Sequence, residues 1–172
     1  GLNATIVNPT SMVGPPDHRP SLMGKAIIDL CNGKIRALIP GGFDFADVRD
    51  VSKGVIGAMH YGQKGESYLL SGKYFEITHI AKILSDLAGK KINPPVIPEW
   101  MARTALPFMK AYAAFTGTTA LYTRESIDAL ICGNRKIDSS RASLELGFTV
   151  RPFEKTLQDT YHWFNENGFI KK

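Results

Sequence analysis

The densest group of useful side chains in this chain is Asn8, Pro9, Thr10, Ser11 and Met12. They lie within Thr5-Ile6-Val7-Asn8-Pro9-Thr10-Ser11-Met12-Val13-Gly14-Pro15-Pro16. An amide, two hydroxyls and a thioether between prolines bind and orient, but none of them is a strong acid, base or nucleophile. Other chemistries are poorly provided for. His18, His60, His79 and His162 show no paired metal-ligand spacing, so no metal site is expected. There is no Gly-x-Ser-x-Gly nucleophile elbow. A Gly-x-Gly-x-x-Gly phosphate cradle is also absent. Glu66 and Glu76 read as boundary residues, and no catalytic residue is assigned.

The elements around the turn follow from periodicity. Thr5, Ile6 and Val7 are β-branched and continuous, which predicts a strand covered on both faces as in a parallel sheet. Pro9 ends it, because proline cannot donate to the ladder. In open α/β sheets ligands sit beyond the carboxyl ends of the strands, which is where Asn8 to Ser11 would stand. An ordinary strand end with a proline turn is the plainer alternative. Ser21 is placed to cap a helix bearing Leu22, Ala26, Ile27, Leu30 and Cys31, stopped at Gly33. Arg36 to Pro40 and Phe43 to Val48 read as short strands. Asp50 would cap a helix with Val51, Val55, Ala58 and Met59 inward. Ser67 to Ser71 is a strand, and a helix with Ile77, Ile80, Ala81 and Leu84 inward follows Gly72.

Asn93 to Pro98 is a connector, and Pro98 opens an aromatic-rich segment containing Trp100, Met101, Leu106, Phe108, Met109, Tyr112 and Phe115. That segment reads as a buried packing face kinked or split at Pro107, or with one flank lining an apolar pocket. Thr123, Ser139 or Ser140, and Pro152 begin the last three helices. The middle one is predicted to carry Ala142, Leu144 and Leu146 inward.

Bulk properties narrow the field. The 172 residues suffice for one ordinary domain or part of a larger one. They carry net charge +5, with 44% hydrophobic and 22% charged residues, a normal globular balance. The positive residues are scattered, and no nucleic-acid reader motif is present, so no nucleic-acid partner is expected. The two cysteines, Cys31 and Cys132, read as reduced core thiols, which fits a cytoplasmic setting. No apolar run reaches the roughly 20 residues of a membrane span, and no membrane partner is expected.

Four segments, in order, resemble the extended short-chain dehydrogenases/reductases, nearest the dihydroflavonol-4-reductase-like and NAD-dependent epimerase/dehydratase group. They are "TIVNPTSMVGPPDHRPS", "FADVRDVSKGVIGAM", "KGESYLLSG" and "DSSRASLELGFTVRPFEKTLQDTYHWF". The likeness is weakest across about Ile92 to Ile131, and it is to the C-terminal half of that family. It implies an α/β fold: the C-terminal part of a Rossmann-type doubly wound parallel sheet plus a mostly helical substrate-binding lobe. The sheet would take 1–14 and about 66–90, and the lobe 15–62 and 91–172. The nucleotide-binding half would be supplied in cis or in trans.

The resemblance also implies roles. Pro9, Thr10 and Ser11 match the family's post-strand turn beside the nicotinamide ring and its carboxamide. Ser21 matches a serine approaching the cofactor, with helix capping as its other role. Arg19 would pair with a cofactor phosphate or be solvated. Asn8 and Met12 would flank the substrate. The expected cofactor is NADP or NAD, and the expected reaction is reduction of a small-molecule carbonyl, or oxidation of the matching alcohol, on a small or flavonoid- or sterol-like substrate. A nucleotide-sugar epimerase or dehydratase is the competing enzyme, for which Arg49, Arg124 and Arg135 would be pieces of a clamp. A non-catalytic dinucleotide-binding module is the third possibility. The family also commonly forms homodimers. Its catalytic Tyr-x-x-x-Lys is missing here: the residues four after Tyr61, Tyr68, Tyr74, Tyr112, Tyr122 and Tyr161 are Gly65, Gly72, Thr78, Thr116, Ser126 and Asn165. By itself the chain is therefore expected to be inactive in hydride transfer.

Overall fold

A computed structural model describes residues 1–116 and 123–171, the side chains of 108–116 excepted. Among the described residues the chain forms β1 (Ile6–Pro9), β2 (Ser11–Val13), α1 (Leu22–Cys31), β3 (Gly42–Asp47), α2 (Val48–Tyr61) and β4 (Ser67–Leu70). β5 (Lys73–Glu76), α3 (Ile77–Ala88), α4 (Glu99–Thr116), α5 (Arg124–Ile131), α6 (Ser140–Leu146) and α7 (Phe153–Glu166) follow. The strands make two small sheets. β1 runs parallel to β4, with Ile6 opposite Ser67. β2 runs parallel to β3, and β5 joins β3 antiparallel, with Phe43 opposite Phe75. The α/β class is as expected.

Strand β3 is the hinge of the packing. Alternation along it puts Phe45 with Phe75, Phe153 and Leu157 in the largest core, built with α1, α3 and α7. Ala46 faces the other way, into a core shared by α2, β4 and α6 through Val51, Tyr68, Leu70 and Leu146. A third cluster joins Ala102 and Leu106 of α4 to Ile127 and Leu130 of α5.

Several expectations are corrected. Ile6 is 56% exposed, because β1 has β4 as its single neighbour among the described residues. The cap of α2 is Asp47, one turn earlier than Asp50, and its carboxylate accepts the Arg49 backbone N–H at 2.8 Å. Val55 and Met59 point outward. The helix instead buries Val51, Gly54, Gly57 and Ala58, since a Cβ at Gly57 would stand 2.4 Å from the Leu146 carbonyl and so bar α6 from this face. Leu144 is exposed, while Ala142 and Leu146 face inward. Lys73 to Glu76 is a strand that the sequence reading overlooked. Arg36 to Pro40 contributes only the bridge of Leu38 to Val96.

α4 continues through Pro107 as one helix. Trp100 and Met101 are exposed, not packed. Phe108, Met109, Tyr112 and Phe115 lie outside the residues whose side chains are described. Cys132 is exposed because it forms the C-cap of α5. Cys31 is buried as expected, and burial pushes its thiol up to about 11 despite the nearby Lys90 charge. Such a thiol is unreactive at neutral pH.

The turn between β4 and β5 depends on Gly72. A Cβ there would lie 1.7 Å from the Phe45 carbonyl oxygen, which is backbone and cannot swing aside. Gly72→Ala should therefore lower stability by about 1–3 kcal/mol, as overpacking does, read as a fall in the midpoint of urea unfolding. An unchanged midpoint would show that the turn can relax.

Candidate functional site

The polar turn emerges where β1 ends and β2 begins, at the carboxyl end of the β1–β4 pair. Asn8 and Pro9 are exposed, and Thr10 and Ser11 are half-buried. Asn8 Nδ2 donates to Ser67 Oγ at 2.7 Å, which couples the end of β1 to β4. The Thr10 hydroxyl donates to Asp44 Oδ1 at 2.6 Å, and its backbone N–H to the Leu70 carbonyl at 3.3 Å. Ser11 sits opposite Phe45 in the β2–β3 register. Met12 is 42% exposed beside it.

Ser21 takes its capping role. Its hydroxyl oxygen accepts the Gly24 N–H at 3.0 Å and donates its proton to Asp17 Oδ2 at 2.9 Å. Arg19 stands exposed in the loop before α1. Proposed cofactor and substrate residues are thus drawn together from Asn8 to Met12, with Ser21 already engaged at the head of α1.

Next to this turn an apolar cavity of about 110 Å³ runs along α1. Val13, Leu22, Ala26 and Leu30 form one side, and Phe43 and Leu157 are among the groups closing the other. Among the described residues its lining includes no charged side chain, and Ser126 is the one polar member. Leu22 is 60% exposed at the same end of α1 as Ser21. Val13 follows Met12 directly. The cavity thus includes the residue next in sequence to the polar turn.

Behind the turn, an ionic cluster fixes β3, α2 and α7. Asp47 is almost fully buried. It receives Arg49 Nε at 2.9 Å, Arg49 Nη2 at 2.6 Å and the Thr156 hydroxyl at 2.7 Å. Burial would push its carboxyl up, but the bonds from Arg49 and Thr156 outweigh burial and hold it below the ordinary 3.8. Arg49 also reaches Asp159 at 2.9 Å. Asp50 accepts the Arg151 backbone N–H at 2.9 Å and its Nη2 at 2.6 Å. Burial again opposes these bonds, and they again win, so Asp50 too is held low.

Of the three arginines proposed as a nucleotide-sugar clamp, Arg49 is thus consumed by carboxylates. Arg135 lies over the Tyr74 ring, and Arg124 opens α5, so the three are not gathered into one clamp. Among the described residues no cluster suited to a metal is found, and no helix is long and apolar enough to cross a membrane. Asp44 and Arg151 were missed from the sequence. The one available signal was a lone acid between two phenylalanines, Phe43-Asp44-Phe45.

The comparisons with known proteins agree with this architecture. No protein-family model matches the chain. It is 38% identical to sterol demethylase protein B of Methylococcus capsulatus, over 99% of this chain and 52% of that protein. It is 26% identical to a Synechocystis protein provisionally named dihydroflavonol 4-reductase, over 99% of this chain and 51% of that one. A crystallised nucleoside-diphosphate-sugar epimerase from Pseudomonas aeruginosa superposes with a TM-score of 0.76 at 26% identity, covering 99% of this chain and 51% of that one. More distant folds include a Bacillus cereus UDP-glucuronic acid 4-epimerase solved with NAD and a Pseudomonas aeruginosa protein solved with NADPH. The chain spans about half the length of the curated relatives it matches. It is similar to the C-terminal half of proteins named as a dihydroflavonol 4-reductase and a nucleoside-diphosphate-sugar epimerase.

The ionic cluster gives a signed prediction. Carboxylates held low contribute stability that is fully present above their unfolded value and lost as pH falls through the folded one. The protein should therefore weaken below about pH 4, the ordinary carboxylate range. Arg151→Met strands Asp50 as a buried charge. It should cost about 3 kcal/mol at pH 7, and less at pH 4 where Asp50 can take a proton. Urea midpoints at the two pH values measure this, and an equal loss at both would contradict the pairing.

Proposed function

We propose that this chain is the substrate-side half of an NAD(P)-dependent oxidoreductase that reduces a carbonyl on an apolar small molecule, or oxidises the matching alcohol. The observation that carries the reading is the apolar cavity whose described lining is uncharged and includes Val13, the residue after Met12. A hydrocarbon group gains about 25 cal/mol for each Å² of apolar surface it buries there. A nucleotide sugar would bring a diphosphate, which needs cations, and none lines this cavity among the described residues. The relatives themselves divide between a reductase name and an epimerase name, so the cavity's chemistry is what separates the two readings.

The bound dinucleotide supplies the hydride. In reduction the hydride goes to the carbonyl carbon and a proton to the oxygen. In this family a tyrosine gives that proton, and the matching Tyr-x-x-x-Lys is not within these 172 residues. The residues here bind and orient. The turn from Pro9 to Ser11 fits a nicotinamide face, because it offers half-buried hydroxyls on a backbone pinned to β4 and β3. Asn8 and Met12 flank the reacting carbonyl, and Arg19 is free to meet a phosphate. The cavity draws the apolar body of the substrate away from water and so fixes its approach.

The test is NADH and NADPH oxidation by the full-length protein against carbonyls graded from charged to apolar. Apolar ketones or aldehydes should be turned over best, and this chain alone should show no turnover. Ala26→Phe narrows the cavity and should raise KM for the best apolar substrate about tenfold, the worth of one or two methylenes, leaving the dinucleotide Kd unchanged. Turnover of nucleotide sugars with none of apolar carbonyls would establish the epimerase or dehydratase reading instead. Dinucleotide binding with no turnover of either would establish a binding module.

A further inference from the structure

Four aspartates are buried among the described residues: Asp29, Asp44, Asp47 and Asp50. Asp29 pairs with Lys25 and Lys34, Asp47 with Arg49, and Asp50 with Arg151. Asp44 differs, having no cationic partner among the described residues. What it has are two neutral donors, the Thr10 hydroxyl at 2.6 Å and the Gly72 backbone N–H at 2.7 Å, both on Oδ1. A buried carboxylate depends on its hydrogen bonds more than a surface one, since removing either leaves desolvated charge unmet.

That dependence constrains Thr10. A hydroxyl carries one proton and two lone pairs. The proton of Thr10 is committed to Asp44, and turning it elsewhere would deprive the carboxylate of one of its two donors. The Thr10 backbone N–H is also committed, to the Leu70 carbonyl. All that Thr10 can offer a ligand is therefore an oxygen lone pair. Without Asp44 the same hydroxyl would rotate and donate or accept as the ligand required.

We propose that Asp44 is a positioning residue that makes Thr10 an obligate acceptor, and that the group it accepts from is the carboxamide N–H of the nicotinamide. This rests on the reading of the Pro9–Ser11 turn as the nicotinamide face. It goes further in naming which half of the carboxamide Thr10 reads, and which buried residue enforces the choice. The carboxamide oxygen then needs a donor other than Thr10. The carboxamide is thereby held in one rotamer, because exchanging its nitrogen and oxygen would set two acceptors against each other.

The experiment uses the full-length protein and two reduced dinucleotides: the natural cofactor and its 3-acetylpyridine analogue. The analogue keeps the carbonyl oxygen and replaces NH₂ with a methyl group. Binding is read by fluorescence titration, without turnover. The acetyl analogue should bind about tenfold more weakly, the worth of one hydrogen bond to a buried acceptor. Thr10→Val should bring the two affinities within about twofold, while Thr10→Ser should keep the preference. Asp44→Leu should shrink it, because the Thr10 hydroxyl then has no acceptor for its proton and is free to turn. Equal binding of both dinucleotides by the unsubstituted protein would overturn the proposal and leave the turn as a cofactor site. So would a preference that survives Thr10→Val. Failure of either dinucleotide to bind would remove the nicotinamide reading itself, and the proposal with it. The decisive comparison needs no substitution, so a variant that misfolds does not shield the proposal.

Discussion

Strand β3 carries two buried carboxylates three residues apart, and much of the structure is arranged to satisfy them. Taking a carboxylate out of water costs several kcal/mol unless hydrogen bonds or counter-charges replace the lost hydration. Alternation along the strand sends them to opposite faces. Asp47 goes to the α7 side, where Arg49, Thr156 and the start of α2 meet it. Asp44 goes to the β4 side, where it gathers the turn after β1 and the turn after β4. A single six-residue strand thus joins two helices and two turns by electrostatics as well as by packing. The two carboxylates are compensated in different ways. Asp47 is neutralised and makes a rigid joint. Asp44 is met by neutral donors, and so imposes a polarity on the hydroxyl it holds.

This arrangement separates rigidity from recognition. Gly72 approaches the Phe45 carbonyl more closely than any other residue type would allow, and the Asp44 carboxylate can reach its N–H only because of that approach. The polar turn is consequently fixed from beneath by backbone contacts, while its outward groups stay available. The apolar cavity is built from a different core, by α1, β3 and α7. A substitution in the cavity can then alter what is bound without disturbing the turn that orients it.

The sequence told most where one local rule decides the outcome. Ser21 at a helix start, Thr123 in a reciprocal cap with Ser126, and Gly89 in the left-handed conformation after α3 each obey chemistry confined to a few residues. The end of β1 at Pro9 was legible for the same reason, since proline cannot donate to the ladder. Reading failed where partners lie far apart in the chain. Arg151 is 101 residues from Asp50, and no local pattern joins them. On α2, helical spacing alone admitted Val55 and Met59 as core residues. The choice of face was made by α6, whose backbone needs the glycines at 54 and 57 to come close. β5 escaped notice because four residues beside a strong helix carry little pattern, and it exists by pairing with β3.

Asp44 shows what a strand position can carry that periodicity does not reveal. In Phe43-Asp44-Phe45 an acid interrupts an apolar run, and the ordinary explanation is a solvent-facing side chain on an alternating strand. Here neither face of β3 is solvent: Phe45 and Ala46 are almost wholly buried in two different cores. An acid at such a position destabilises the strand unless something nearby requires an acceptor. The two donors that meet it come from the polar turn and from the tightest backbone approach at this junction. Asparagine would fit the same space and spare the charge, but it would offer acceptors on one edge only, kept there by the Gly72 N–H. The carboxylate accepts on either oxygen and so keeps the Thr10 proton turned inward, and a site that must read one edge of a planar amide gains from that loss of freedom.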